Sequence, residues 1–577
     1  MSRKQDGQKA IAISKSSRMW ASASFVGVLI VIGVPLWWST TEVYRVSLPY
    51  KKIYDLTSLP VAIATNLVVL ANDDATADEI VKFLETSFQD SIVIKLKISK
   101  RVLSDSLRHT LESVADEVEA VEEVTAAVGA VAPNTLLCVQ RTPLYKQVWL
   151  GTDRVVFFRD ATAGIPLVDV LSEWIYQTLV LASAVTNDDT LRMRYPPAAG
   201  YHIMLSIAVP DADRGLQFPA KEAMEDYVGS FVDELSGIHN FTLKSQWLYM
   251  MDFDFEATEV CVVTLIISKY NKNTDDLVRV AGKDWMRKAQ NREEWRALEE
   301  TYTQRWVILE HKTLGRHFAV PEENLYMLLT QLEKRTATQV SLWRTVNLVL
   351  YAVPCRIAPL IIYTEEGDTG GPLQSFVSPE WGSVVLPSPT AEECAAGAPS
   401  RPDVHLHMTT FVTQLRPLLG IMEPREKNGA TMLSSRSVTP RRWEVDALMR
   451  LRLQEQLASG KLALQSLADL LAEISNIVIN DEVGSSINAA VEGIYEATEL
   501  MSQGHLEEAY RVSQKAFLAA EAAFADPSLL ALLYFPDDQK YAIYIPLFLP
   551  IMFPVVLSLK NLFLWVRGKP LHKEKAD

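Results

Sequence analysis

Met19 to Trp38 reads MWASASFVGVLIVIGVPLWW, and Tyr541 to Leu559 reads YAIYIPLFLPIMFPVVLSL; neither run of 20 and 19 residues contains a formal charge. A helix rising ~1.5 Å per residue would cover the ~30 Å hydrocarbon core of a bilayer with either. Each is therefore predicted to be a transmembrane helix. Arg3, Lys4, Lys9, Lys15 and Arg18 precede the first, and Lys560, Arg567, Lys569, Lys573 and Lys575 follow the second. Short basic flanks stay on the cytosolic side, so both termini are expected there and the intervening chain in the lumen. The first run ends in Trp37-Trp38 and polar residues rather than a small-residue cleavage site, which fits an uncleaved anchor. A basic tail after the second argues against a C-terminal lipid-attachment signal, so the run reads as a span.

Working inward, the totals are 56 basic and 71 acidic residues; taking away five and one at 1–38 and five and two at 541–577 leaves 46 against 68. A balance of −22 argues against a nucleic-acid partner, since phosphate binding draws on basic stripes. The four cysteines, Cys138, Cys261, Cys355 and Cys394, contain no CxxC and allow at most two disulfides.

From about Tyr50 to Pro440, strand and helix signals alternate. Ile92, Ile94, Leu96 and Ile98 interleave with Val93, Lys95 and Lys97, a period of two that suits a half-wet strand. Thr76 and Glu79 are spaced as a capping box before a helix with Ile80, Phe83, Leu84 and Phe88 on one face. Further strands are expected at 135–139, 155–158, 201–209, 244–251, 348–353 and 405–412, and helices at 103–124, 167–180 and 221–235. Glu423 to Arg442 reads as a linker, and Trp443 to about Ala525 as roughly three helices. No internal sequence repeat is found.

The expected fold is thus two transmembrane helices flanking a large lumenal mixed α/β domain followed by an α-helical bundle. The boundaries are a cytosolic tail at 1–18, a span at 19–38, the α/β domain at 39–440, the bundle and juxtamembrane segment at 441–540, a second span at 541–559 and a basic tail at 560–577.

Candidate chemistry is sparse. Asp252-Phe253-Asp254 is a DxD, with which nucleotide-sugar glycosyltransferases hold a divalent ion, but no further ligand accompanies it and a strand-end surface pair is the better reading. Asp368-Thr369-Gly370 matches half of an aspartic-protease site without the second half, so a turn is the simpler reading. His405 and His407 would share one side of a strand, two ligands where zinc needs at least three. No nucleophile signature, cofactor motif or metal site is found, and neither catalytic residues nor a cofactor are expected. Asn240-Phe241-Thr242 is a glycosylation sequon, and Lys573 and Lys575 are placed as an endoplasmic-reticulum retrieval signal. Pro546, Pro550 and Pro554 recur every four residues and each removes a backbone donor, marking the second span for packing against other helices.

The C-terminal quarter is more specific. ISNIVI (474–479) followed by Asp481-Glu482-Val483, then Gly504-His505-Leu506, FADPSLL (524–530) and LLYFPDDQKYAIYIPLFLP (532–550) resemble the phosphatidylinositol-glycan class S family, PIG-S. PLWWSTTEVYRVSLPY (35–50) and SPEWG (378–382) are similar to the same family. The resemblance implies a non-catalytic structural or regulatory subunit of glycosylphosphatidylinositol (GPI) transamidase, which attaches GPI anchors to protein C-termini in the endoplasmic reticulum. It also implies a catalytic cysteine in a caspase-like PIG-K-type partner, with PIG-T, PIG-U and the GPI anchor attachment protein as further partners. The alternatives from the residues alone are a lumenal glycosyltransferase using Asp252 and Asp254, or a lumenal cargo and sorting receptor.

Overall fold

A computed structural model describes, with short interruptions, residues 17–59, 62–177, 194–250, 258–267, 309–422, 427–530 and 537–567. The chain divides into two compact units, one of residues 61–455 and 501–510, the other of 1–60, 456–500 and 511–577.

The larger unit contains two mostly parallel sheets. Strands β1 (Ile63–Ala71), β3 (Thr135–Gln140) and β5 (Val155–Phe158) are nearly continuous apolar runs, the pattern of strands covered on both faces. With β2 (Ile94–Val102), β4 (Val148–Leu150) and β16 (Ala430–Met432) they form a six-stranded sheet in the order β16-β4-β5-β3-β1-β2. The lysine-rich β2 lies at the edge, where charge discourages pairing with another chain. One face buries Leu67, Val69, Leu136 and Phe158 beneath Ile80, Leu84 and Phe88 of helix α1 (Asp74–Phe88). The opposite face buries Leu137, Val139, Val155 and Phe157 with Leu111 of α2 (Asp105–Ser113) and Ala120, Val121 and Val124 of α3 (Glu117–Val128).

The second sheet joins β6 (Gly200–Val209), β7 (Asn240–Tyr249), β12 (Arg344–Tyr351), β14 (Ser375–Ser378) and β15 (Gly382–Val385) in the order β14-β15-β12-β6-β7. It repeats the first sheet's topology. In each, leaving aside β16 at the far edge of the first, the leading strand pairs in parallel with the second and third, β5 or β15 is parallel to the third, and a short antiparallel strand, β4 or β14, lies outside it. The duplication is one of topology, invisible to residue identity. Between β7 and β12 the chain adds β8 (Thr258–Val260), β9 (Val263–Ile267), β10 (Leu309–Thr313), β11 (His317–Pro321) and α4 (Leu325–Thr336). β11 pairs with β8 and with β13 (Leu360–Tyr363), and β9 with β10.

Several expectations are corrected. Among the described residues no helix is long and apolar enough to cross a membrane, which overturns the expected fold of two flanking spans; what is seen is a mixed α/β body with helices, and the multi-pass topology has no support in it. Absence of charge is a property of composition, whereas a span needs a helix that is continuous and apolar throughout. The first run passes into a π-turn at Leu29–Gly33. The second lies inside a longer helix, Asp537–Val566, that takes in Asp537, Asp538, Lys540 and Lys560 together with three prolines. The strand expected at 405–412 is part of α6 (Val404–Leu419), which follows the short α5 (Ala391–Ala396). Asp403, whose side chain accepts from the Leu406 amide, starts α6 and overrides the short-range alternation. The linker contains β16, and the cap of α1 is Asp73, not Thr76; Thr76 supplies the amide that Asp73 accepts at 2.7 Å. The single helix expected at 103–124 breaks before Asp116, which caps α3.

The smaller unit is built on helices. It holds the second half of α7 (Arg442–Glu473), α8 (Asp481–Gln503) up to Leu500, and α9 (Leu506–Phe524) from Arg511. Glycines bring these helices close: a Cβ on Gly493 would lie 2.8 Å from that of Ala516. The segment at 44–59 is strapped to them. Tyr44 donates to Asp481 at 3.0 Å, Tyr54 to Asp469 at 2.8 Å and Arg45 to the Leu471 carbonyl at 2.5 Å. The same unit ends in α10 (Asp537–Val566).

Candidate functional site

The most unusual chemistry of the larger unit lies on the first half of α7. The sequence Arg441-Arg442-Trp443-Glu444-Val445-Asp446 to Glu455 scatters charges among apolar residues, so no single apolar stripe forms. The structure buries nearly all of it: Arg441, Glu444, Asp446, Arg450, Arg452 and Glu455 are inside, together with Trp443. Ionised groups removed from water need hydrogen bonds, and each of these makes at least one, although Nε of Arg441, Arg450 and Arg452 has no partner among the described residues.

Asn134 is the hub. It sits just before β3 in the left-handed conformation at φ 60°, which asparagine tolerates better than most residues. Its amide nitrogen donates to the carbonyls of Ala64 at 2.8 Å and Gly504 at 3.0 Å. Its side-chain oxygen accepts from Thr65 at 3.1 Å and Arg450 at 3.2 Å, and its backbone N–H donates to Asp446 at 3.2 Å. All four side-chain bonds available to an asparagine are made. Asp446 also receives both Nε and Nη2 of Arg154, at 2.5 and 2.8 Å, the planar fork that suits a carboxylate. Arg450 reaches the Ile175 carbonyl at 2.9 Å and stands 5.1 Å over the Tyr176 ring. Burial pulls the Arg450 guanidinium below its ordinary range, and the Asp446 charge works against that.

Two flanking clusters complete the network. Glu444 accepts from Arg416 at 2.5 Å and from Arg441 at 2.7 Å, while Trp443 donates to the Gly151 carbonyl at 2.9 Å. Arg452 bonds Glu455 at 2.9 Å and the carbonyls of Tyr195 and Leu419, and Arg194 pairs with Glu455. Each carboxylate is enclosed by donors, which suits rigid positioning rather than proton transfer to a substrate. Burial pushes the Cys138 thiol up to about 12 and the His239 imidazole down to about 3, so at neutral pH one is an inert thiol and the other an uncharged ring.

The residues singled out in the sequence are not gathered by the fold. His405 and His407 sit two positions apart on helix α6, where side chains diverge; His405 meets the Tyr227 hydroxyl at 3.0 Å, and His407 Nδ1 faces the Asp403 carbonyl at 2.5 Å. Among the described residues no group of three His, Cys, Asp or Glu could hold a metal. Asp252, Asp254, Asp368, Lys573 and Lys575 lie outside the described residues. Asn240 is exposed at the first position of β7, an edge of the second sheet, and Pro546, Pro550 and Pro554 are exposed on α10. Cys355 and Cys394 form a disulfide with Cα atoms 5.7 Å apart, joining a 3-10 turn to α5. The sequence signal for the network is a helix whose charges fall on every face, which a search for one apolar stripe passes over.

The chain matches known proteins over almost its whole length. A family profile described as phosphatidylinositol-glycan biosynthesis class S protein matches residues 24–569. The chain is 29% identical to the GPI-anchor transamidase component PIGS of Homo sapiens and 28% identical to that of Rattus norvegicus, each over 96% of this chain and 97% of the relative. It is 23% identical to the GPI transamidase component PIG-S homolog of Schizosaccharomyces pombe, over 97% of this chain and 86% of the relative.

Proposed function

Because the chain belongs to the PIG-S family, we propose that it is a subunit of GPI transamidase, the complex that attaches GPI anchors to protein C-termini in the endoplasmic reticulum. The observation carrying this is the match from residue 24 to 569, which spans both units rather than one module. Its role is structural or regulatory. In support, the charged groups of α7 spend their bonds on one another and on backbone carbonyls, the economy of a scaffold. The catalytic cysteine belongs to a caspase-like PIG-K-type partner, and PIG-T, PIG-U and the GPI anchor attachment protein complete the assembly. Recovery of those partners with the tagged chain in mild detergent is the test.

The α/β body faces the lumen of the endoplasmic reticulum. Two features support this: the Cys355–Cys394 disulfide, a bond that persists in oxidising compartments, and the exposed Asn240 in its sequon. Glycosidase digestion of the chain made in cells should therefore raise its mobility by one glycan, and Asn240→Gln should abolish that shift. An Asn240→Gln chain that still shifts, or a wild-type chain that does not, contradicts the assignment.

A further inference from the structure

Pro546, Pro550 and Pro554 are four residues apart on α10, so they share one side of the helix, and all three are exposed. Proline has no N–H, and each one leaves the carbonyl four residues earlier without its helical donor. The carbonyls of Ala542, Pro546 and Pro550 thereby form a row of acceptors about 6 Å apart. Around that row the side chains are apolar and exposed, among them Ile545, Leu549, Phe553 and Val556. An exposed apolar face of this kind is one that a partner covers, and a carbonyl covered without a donor carries the full cost of a lost hydrogen bond.

Resting on the reading of the chain as a transamidase subunit, we propose that the proline face of α10 is a docking surface for an apolar helix of a sister subunit bearing serine or threonine hydroxyls four residues apart. Such hydroxyls repeat at the same interval of about 6 Å as the acceptors they would meet. Hydrogen-bond complementarity selects this occupant, because acyl chains have no donor and an all-aliphatic helix would leave the carbonyls unpaired.

The test uses the full chain with Pro546→Ala, Pro550→Ala and Pro554→Ala combined. Alanine returns the three donors, keeps the face apolar and improves helix propensity, so a face recognised only for its apolarity would bind as well or better. The expected result is about a tenfold fall in transamidase subunits recovered per chain in mild detergent, at unchanged abundance. Equal recovery overturns the proposal, as does equal recovery with altered partition into lipid, which would make lipid the covering. Should the triple variant accumulate poorly, Pro550→Ala alone returns the donor for the Pro546 carbonyl, and unchanged recovery per chain then overturns it. If the wild-type chain recovers no transamidase subunit, the subunit reading itself fails, independently of the chemistry of this face.

Discussion

Replacing Asp446 with alanine should destabilise the larger unit by about 3–5 kcal/mol, because it removes one partner of a buried ion pair and leaves the other charge behind. The Asp446 side chain is only 3% exposed and that of Arg154 12%. Removing the carboxylate strands both Arg154 nitrogens, frees the Asn134 N–H and deprives buried Arg450 of the charge that opposes its desolvation. The readout is thermal unfolding of the full chain followed by tryptophan emission, with buried Trp443 in the network itself. A double change to Asp446→Leu and Arg154→Met should recover most of the loss, since apolar residues of similar size often replace a buried pair without cost. A loss below about 1 kcal/mol for Asp446→Ala would mean that the network is not under desolvation stress.

Gly382→Ala is expected to cost at least as much, above about 4 kcal/mol, and to lower the yield of folded chain severely. Gly382 opens β15 at φ +144°, and a Cβ there would lie 1.9 Å from the carbonyl oxygen of Asn347 on β12. Strand β12 cannot retreat, because it is held between β15 and β6. Gly397 provides the contrast: it also has a positive φ, +60°, but a Cβ there meets nothing within 4 Å. Gly397→Ala should cost only about 1 kcal/mol. Equal losses at the two glycines, measured by unfolding and by extracted yield, would refute the close approach between β12 and β15.

The contrast also explains why SPEWG at 378–382 stands out in the sequence: its glycine is fixed by a backbone contact that leaves no room for a side chain. Other parts of the fold were legible for similarly local reasons. The apolar runs of β3 and β5 and the stripe of Ile80, Leu84 and Phe88 declare strand and helix by period alone. What escaped depends on partners distant in sequence. Strand β16 is three residues long in a polar stretch and exists because β4 offers it a parallel edge. The alternation around His405 suits a strand, yet the Asp403 cap and packing of Met408, Phe411, Val412 and Leu415 make a helix. The network of α7 pairs residues as far apart as Asn134 and Arg450, so its charges read as a solvated face until Arg154, Arg416 and Asn134 are brought to them. Uncharged runs at the two ends suit spans by composition, but among the described residues no helix is long and apolar enough to cross a membrane. Family membership was the most legible property of all, since it rests on residue identity and not on which elements meet.

The most direct measurement of the central claim is mass spectrometry of what co-purifies, in mild detergent, with the epitope-tagged full-length chain expressed at its natural level. As a transamidase subunit, the chain should bring down the caspase-like subunit together with PIG-T, PIG-U and the GPI anchor attachment protein in comparable amounts, all absent from an untagged control. Recovery of the intact chain without the caspase-like subunit, from a lysate in which that subunit is present and assembled, would contradict the account.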